Sequence, residues 1–293
     1  MSQKIESWIN SIVNFEALMW DDGVWYLDGS KREMEGVYDE KMHGDLLRIE
    51  DKSWWFKHRN KMIETGINRY PPSENTIVDV GGGNGYVAAY LKDCGYKIVL
   101  FEPGIQGIIN AKSRGIDNLI CAPLNATTAK ANSIGSIGIF DVLEHMENER
   151  EFLNEMYRAL KPDGLIYITV PAHMFLWSDE DESAGHFRRY SLKSLCEVLT
   201  ANGFEVLFGT YFFRLLALPI FIFRTLPYKL FKKNKPNNAP GNRLKSSSFI
   251  VPNFIERIMS LWLGNEIRKM KRGKISSGAS IFVIAKKISA ERM

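Results

Sequence analysis

The chain has 293 residues, a formal net charge of +4, 45% hydrophobic and 25% charged residues. That balance suits one large globular domain, or one domain with a sizeable insertion, and excludes a disordered tail, a collagen-like repeat and a disulfide-stapled miniprotein. Cys94, Cys121 and Cys196 are odd in number and show no CxxC spacing, which predicts a reducing cytoplasm rather than structural zinc or secreted disulfides. The acidic, weakly apolar start of the chain predicts no export signal.

Residues 1–70 read as a mostly helical N-terminal lid that ends in the aromatic-basic stretch Trp54-Trp55-Phe56-Lys57-His58-Arg59. Tyr70-Pro71-Pro72 punctuates it, because proline restrains the residue before it and cannot continue a helix. From Thr76 the pattern changes. A strand is predicted at Thr76–Val80, a helix at 86–94, a strand at Lys97–Phe101 and a helix at Ile105–Ser113. Leu119–Cys121 is a short apolar piece, followed by a strand at Ile134–Phe140, a helix at 149–160, a turn at Lys161-Pro162-Asp163-Gly164 and a strand at 165–170. Continuous apolar strands alternating with helices specify a parallel sheet covered on both faces, a doubly wound α/β core over 71–210. Beyond it lie a polar, aromatic stretch at 171–190, a helix at 192–202 and a strand at 204–208. A long insertion at 211–274 then precedes a final strand at 280–286 within a closing segment, 275–293.

Charge is distributed unevenly along this order. From Arg224 to Lys274 thirteen Lys and Arg face only Glu256 and Glu266, an excess of 11 positive charges in a chain of net +4, so the remainder is acidic. A basic block beside an acidic body points to an anionic partner, lipid head groups or nucleic acid, with a solvated surface loop as the plain alternative.

Asp79-Val80-Gly81-Gly82-Gly83-Asn84-Gly85 sits where the first strand hands over to the first helix. Glycines there allow positive φ and close approach of a ligand to bare backbone N–H groups. Glu102 falls at the end of the second strand, where a carboxylate can accept both hydroxyl hydrogens of a ribose. Dinucleotides and S-adenosylmethionine both use this geometry. G-x-G-x-x-A can be forced onto 83–88, whereas D-x-G-x-G-x-G fits Asp79, Gly81, Gly83 and Gly85 without adjustment. A carboxylate at Asp79 sits badly beside a pyrophosphate and well beside a sulfonium and an ammonium, so electrostatics favours the methyl donor.

On these residues the chain resembles the class I S-adenosylmethionine-dependent methyltransferases, whose fold is a Rossmann-like, mostly parallel seven-stranded sheet. The resemblance covers roughly 54–208, with 281 near a closing strand. It is carried by Ile77–Gly85, by Phe101-Glu102-Pro103-Gly104, and by Phe140-Asp141-Val142-Leu143-Glu144-His145 with Ala159–Gly164 after it. It implies that Gly81 and Gly83 pass the methionine part of the cofactor, Glu102 and its neighbour Pro103 serve the ribose, and Asp141 and Val142 lie under the donor. The adenine-binding acid of many members is missing, since Cys121-Ala122-Pro123-Leu124-Asn125 stands there; a backbone contact or Asn125 is the substitute to examine. A closer resemblance, to bacterial methyltransferases associated with surface-polysaccharide or lipid pathways, rests on Trp55-Phe56-Lys57-His58-Arg59. It rests equally on Val170-Pro171-Ala172-His173 and on Asp181-Glu182 through His186-Phe187-Arg188-Arg189-Tyr190.

Methyl transfer needs the acceptor atom held in line about 3 Å away, water excluded and, for a hydroxyl, a base. Ligands of open α/β sheets bind beyond the carboxyl ends of the strands. His145 after strand four, His173 after strand five and His186 in the next loop are therefore the candidate bases. Asp181 and Glu182 would orient His186, while Arg188, Arg189 and Tyr190 would grip an anionic group on the acceptor. The alternative is an ion-pair network that pins the loop. Arg59 is placed to reach the cofactor carboxylate. Glu144 and His145 alone supply too few ligands for a metal, so no metal is expected.

Within the insertion, the uninterrupted apolar run at 215–223 is bounded by Arg214 and Arg224. A spanning helix needs about 20 apolar residues, and a central arginine costs about 3 kcal/mol, so the segment is read as lying at a membrane interface or as capping the acceptor pocket. The expected activity is transfer of a methyl group to a small-molecule or lipid-linked acceptor, at an oxygen, in the cytoplasm or at the inner face of an anionic membrane. No N-P-P-Y motif for base amines is present, which argues against nucleic acid. The alternatives are an NAD-dependent oxidoreductase and a non-catalytic cofactor-binding scaffold docked on a membrane or nucleic acid. The oligomeric state is not legible.

Overall fold

Asp22 and Gly23 turn the N-terminal region back on itself, with φ of 43° and 85° in a computed structural model that describes residues 6–27, 40–231 and 253–288. Asp-Gly supplies the two left-handed conformations that match a hairpin's twist. The result is a pair of antiparallel strands, β1 (Leu18–Asp21) and β2 (Val24–Leu27), with Trp20 directly opposite Trp25. The hairpin is the departure from the mostly helical reading of 1–70, since most of the described residues there are helical. The helices there are α1 (Ser7–Ile12), α2 (Glu40–Glu50) and α3 (Trp54–Ile67), and α3 starts at Ser53, whose Oγ accepts from Trp55 N at 3.2 Å.

The alternation expected from Thr76 onward is present. β3 (Thr76–Val80), α4 (Tyr86–Asp93), β4 (Lys97–Phe101), α5 (Ile105–Ser113) and β5 (Leu119–Cys121) are followed by β6 (Ile134–Phe140), α6 (Glu149–Ala159) and β7 (Leu160–Pro171). α7 (Asp179–Ser183), α8 (Leu192–Ala201) and β8 (Phe204–Phe212) come next. Two short helices, α9 (Ala217–Ile220) and α10 (Leu226–Phe231), are joined by a π turn at Phe221–Thr225. The long α11 (Asn253–Arg272) and the strand β9 (Ser280–Lys287) complete the chain. Lys161-Pro162-Asp163-Gly164 is an irregularity inside β7: Ile134 pairs with Leu160 and Ser136 with Leu165, so those four residues bulge out. β8 runs four residues beyond the expected 204–208 because Phe208–Phe212 continue to pair with β9.

Among the described residues the sheet has nine strands in the order β1-β2-β5-β4-β3-β6-β7-β9-β8, not seven. The two additional strands are the hairpin, which joins the edge through parallel pairing of Val24 with Leu119 and Tyr26 with Cys121. β9 enters antiparallel between β7 and β8. Val78 and Val80 face one core cluster and Ile77 the other, the period-two signature of a strand buried on both sides. From β3 the chain proceeds first to β4 on one side and later to β6 on the other, so order reverses at β3. A crevice opens at the carboxyl ends of strands flanking such a reversal. Among the described residues no helix is long and apolar enough to cross a membrane. Lys232, Lys233 and Lys235, and with them the expectation of a solvated loop in this stretch, lie outside the described residues.

Candidate active site

The turn after β3 is built from backbone that only glycine adopts easily: φ is 71° at Gly81, 52° at Gly83 and 72° at Gly85. Close packing fixes the first and last. A Cβ on Gly81 would come within 2.9 Å of Val142, and one on Gly85 within 2.8 Å of the Ala111 Cβ on α5. A Cβ on Gly83 would meet nothing within 4 Å, because Gly83 opens onto a cavity of about 270 Å³. Asp79, Gly81 and Gly83 line that cavity, whereas Gly85, Pro103 and Val142 stand behind its wall.

Asp79 is 2% exposed, and its Oδ2 has no hydrogen-bond partner. Burial, partly countered by Arg59 and reinforced by Glu102, pushes its carboxyl up to about 7. A cation in the cavity would restore the ionised form, which fits the sulfonium and ammonium of S-adenosylmethionine. Linkage gives a testable consequence. Asp79 holds its proton more tightly when folded, so its contribution to stability is greatest below the ordinary aspartate pKa, declines as pH rises, and levels off above about 7. Asp79→Asn removes that decline. Without ligand, the variant's stability advantage over the parent should grow by about 2–3 kcal/mol between pH 5 and pH 8, while thermal protection by S-adenosylmethionine is lost. Melting curves at the two pH values check this, and an advantage that does not grow defeats it.

Glu102 is placed differently from the simplest expectation. It is buried and does not line the cavity: Oε2 accepts from Gly83 N at 2.9 Å and Oε1 from Gly104 N at 2.7 Å. The carboxylate thus clamps the glycine turn. Asn125 is not free for adenine, since its Oδ1 accepts from Thr127 N at 2.9 Å in a local turn.

At the end of β6, Asp141 adopts a φ of 57°, a strained value for a residue with a Cβ. Thr169 Oγ1 donates to its Oδ1 at 3.0 Å and Arg59 Nη1 donates to its Oδ2. Arg59 comes from α3, where Trp55 stacks on Phe213 with ring centroids 3.9 Å apart. His58 on the same helix bonds Glu266 of α11 at 2.9 Å. Arg59 lines the cavity, with Nη1 given to Asp141 and a buried Nε that has no hydrogen-bond partner.

The three candidate histidines separate. His173 does not line the cavity; its ring lies against Phe175 and Tyr211, each 5.1 Å between centroids, which makes it a packing group. His145 lines the cavity, but burial, and then the nearby His186, push its imidazole down to about 3, too weak a base for a hydroxyl. His186 lines the cavity with Nδ1 2.8 Å from Asp181 Oδ1. Asp181 is buried and also accepts from Arg189 Nε at 2.7 Å and Nη2 at 2.9 Å. Burial alone would raise its carboxyl, yet the bonds from His186 and Arg189 outweigh this and hold it below the ordinary value. A carboxylate on Nδ1 fixes the proton there and leaves the Nε2 lone pair for the other side of the ring.

The predicted acceptor grip is therefore corrected. Arg189 lines the cavity but is committed to Asp181 in the ion-pair network offered as the alternative. Arg188 reaches Glu147 O at 2.8 Å and Glu149 at 2.9 Å, while buried Tyr190 bonds Glu149; neither Arg188 nor Tyr190 lines the cavity. Glu144 was missed as a cavity residue. It is 1% exposed, its Oε2 is unpartnered, and burial followed by the Asp141 charge raises its carboxyl well above the usual range. The third ligand absent at sequence spacing is also present: ligating atoms of Glu144, His145 and His186 lie within 4.8 Å of one another. Ile220 and Arg224 of the insertion form the far wall.

Comparison with known proteins bears on the family and the fold. A family model described as a methyltransferase domain matches residues 55–207. The probable S-adenosylmethionine-dependent methyltransferase of Mycolicibacterium smegmatis is 22% identical over 166 residues, 54% of this chain and 62% of that protein. The mitochondrial ubiquinone biosynthesis O-methyltransferase of Rattus norvegicus is 26% identical over 38% of this chain and 36% of its own length. C-methyltransferase NovU of Streptomyces niveus is 22% identical over 51% and 38%. Each match thus spans less than two thirds of the relative. In fold, the chain is similar to the methyltransferase solved in complex with the Haloferax volcanii Trm112 activator, with a TM-score of 0.54 at 14% identity over 85% of this chain and 97% of that one.

Proposed function

The chain belongs to the methyltransferase-domain family, and from that premise we propose that it transfers a methyl group to the oxygen of a small or lipid-linked acceptor, with His186 as the base. S-adenosylmethionine supplies a methyl carbon already activated by its sulfonium. Asp79 holds the cationic end of the donor where Gly81 and Gly83 leave the backbone without side chains, Arg59 its carboxylate, and Glu102 both the turn and the ribose. His186 takes the acceptor's hydroxyl proton on Nε2 as the new O–C bond forms. Asp181 keeps the ring in the tautomer that can do so. The observation that carries this reading is the Asp181–His186 pair lining the same cavity as the glycine turn.

The test is thermal protection and label transfer together. S-adenosylmethionine and its demethylated product should raise the melting temperature while NAD does not, and labelled methyl should pass into one fraction of a lipid, glycan or small-molecule extract. Glu102→Ala should weaken donor binding about 10- to 100-fold, the scale of one or two hydrogen bonds to a charged group. Protection by NAD in place of the methyl donor overturns the reading. A second reading is favoured by the Glu144–His145–His186 cluster, in which a divalent cation occupies Nε2 and activates the acceptor. Turnover unchanged by a chelator keeps His186 as the base; turnover lost to the chelator and restored by Mn²⁺ replaces it with the metal.

A further inference from the structure

Six large apolar side chains between 215 and 230 remain exposed: Leu215, Leu218, Ile222, Phe223, Leu226 and Leu230. Five of them recur at intervals of three and four residues, so they form a stripe along α9, the π turn and α10. Phe223 is 77% and Leu218 64% exposed. The opposite side of the same turns is buried and bonded. Thr225 Oγ1 donates to Leu176 O at 2.9 Å, Tyr228 bonds Glu182, and Ile220 and Arg224 wall the cavity. An outward apolar stripe of this kind on a structured element marks an interaction surface.

We propose that this stripe docks on an anionic bilayer and thereby brings a membrane-resident amphiphile to the cavity. The charge of the chain selects that occupant. Residues 232–252, which follow α10, carry Lys232, Lys233, Lys235, Arg243 and Lys245 with no Asp or Glu. Apolar and aromatic groups followed in sequence by five cations and no acid match the acyl boundary and the anionic head groups above it. The stripe and the cavity wall are two sides of one short helical segment. An acceptor with its polar head beside Ile220 and Arg224 would therefore have its tail directed to the bilayer. This last step rests on the methyltransferase reading, whereas docking itself does not.

The experiment is sedimentation of the full chain with vesicles of phosphatidylcholine alone or mixed equally with phosphatidylglycerol. The protein should sediment with the mixed vesicles at low salt, be released by high salt, and remain in solution with phosphatidylcholine alone. The double variant L218S/F223S should lower the bound fraction about tenfold. Its melting temperature and its protection by S-adenosylmethionine should be unchanged, since neither residue touches the cavity. Parent protein that stays in solution with the mixed vesicles overturns the proposal, as does a variant that binds like the parent. A parent dimer that L218S/F223S converts to monomer assigns the stripe to a second copy instead. Failure of methyl transfer leaves the vesicle result untouched, so the two proposals fail separately.

Discussion

Replacing His186 by alanine should lower methyl transfer by a factor of about 10² to 10⁴, the usual weight of a positioned base, while donor affinity stays within about twofold. The split follows from placement. His186 sits in the loop after α7, lines the cavity, and bonds Asp181 rather than any residue of the glycine turn. Asp181→Asn should reduce turnover by a positioning effect and also lower the melting temperature. It leaves Arg189, a guanidinium only 10% exposed, without its full counter-charge, and breaking such a buried pair costs about 3–5 kcal/mol. A variant of His186 with unaltered turnover on the identified acceptor would retire it as the base. Loss of donor binding together with turnover would instead make it a structural part of the cavity.

What the sequence disclosed and what it hid divide along the range of the interactions. The strands β3, β4 and β6 and the turn Gly81–Gly85 are local: apolar runs and glycines at fixed spacing encode them without reference to the rest of the chain. The hairpin is equally local, since Asp22-Gly23 between Trp20 and Trp25 is a hairpin signal, set in a segment whose other elements are mostly helical. The site is otherwise. Arg59 and Asp141 are 82 positions apart, and nothing in either neighbourhood announces their pairing. His145 and His186 meet with ring centroids 4.6 Å apart only because β6 and the loop beyond β7 end at the same crevice. Which of Arg188 and Arg189 faces inward likewise depends on the backbone path after α7. One arginine is consumed by Asp181 and its neighbour by Glu149, a distinction that the repeated residue type cannot carry.

The neighbouring glycines Gly83 and Gly85 should respond to alanine in opposite ways. Both have left-handed φ, which costs an L-residue about 1–2 kcal/mol. At Gly85 the new Cβ would also meet the Ala111 Cβ at 2.8 Å and its Cα at 3.0 Å, atoms held by the backbone of α5. Neither can rotate away, so α4 and α5 must separate, and overpacking of this kind adds about 1–3 kcal/mol. Gly85→Ala should therefore lose about 2–5 kcal/mol of stability in chemical denaturation. At Gly83 the Cβ meets nothing, so the stability loss should stop near 1–2 kcal/mol. That same open space is where the methionine end of the donor must lie against bare backbone, and a methyl group there removes the close approach. Gly83→Ala should accordingly fold at the growth temperature yet bind S-adenosylmethionine at least tenfold more weakly, about 1.4 kcal/mol or more. Calorimetric titration beside the denaturation curve separates the two effects. Undiminished donor affinity in Gly83→Ala would move the donor away from this turn, and with it the role assigned to Asp79.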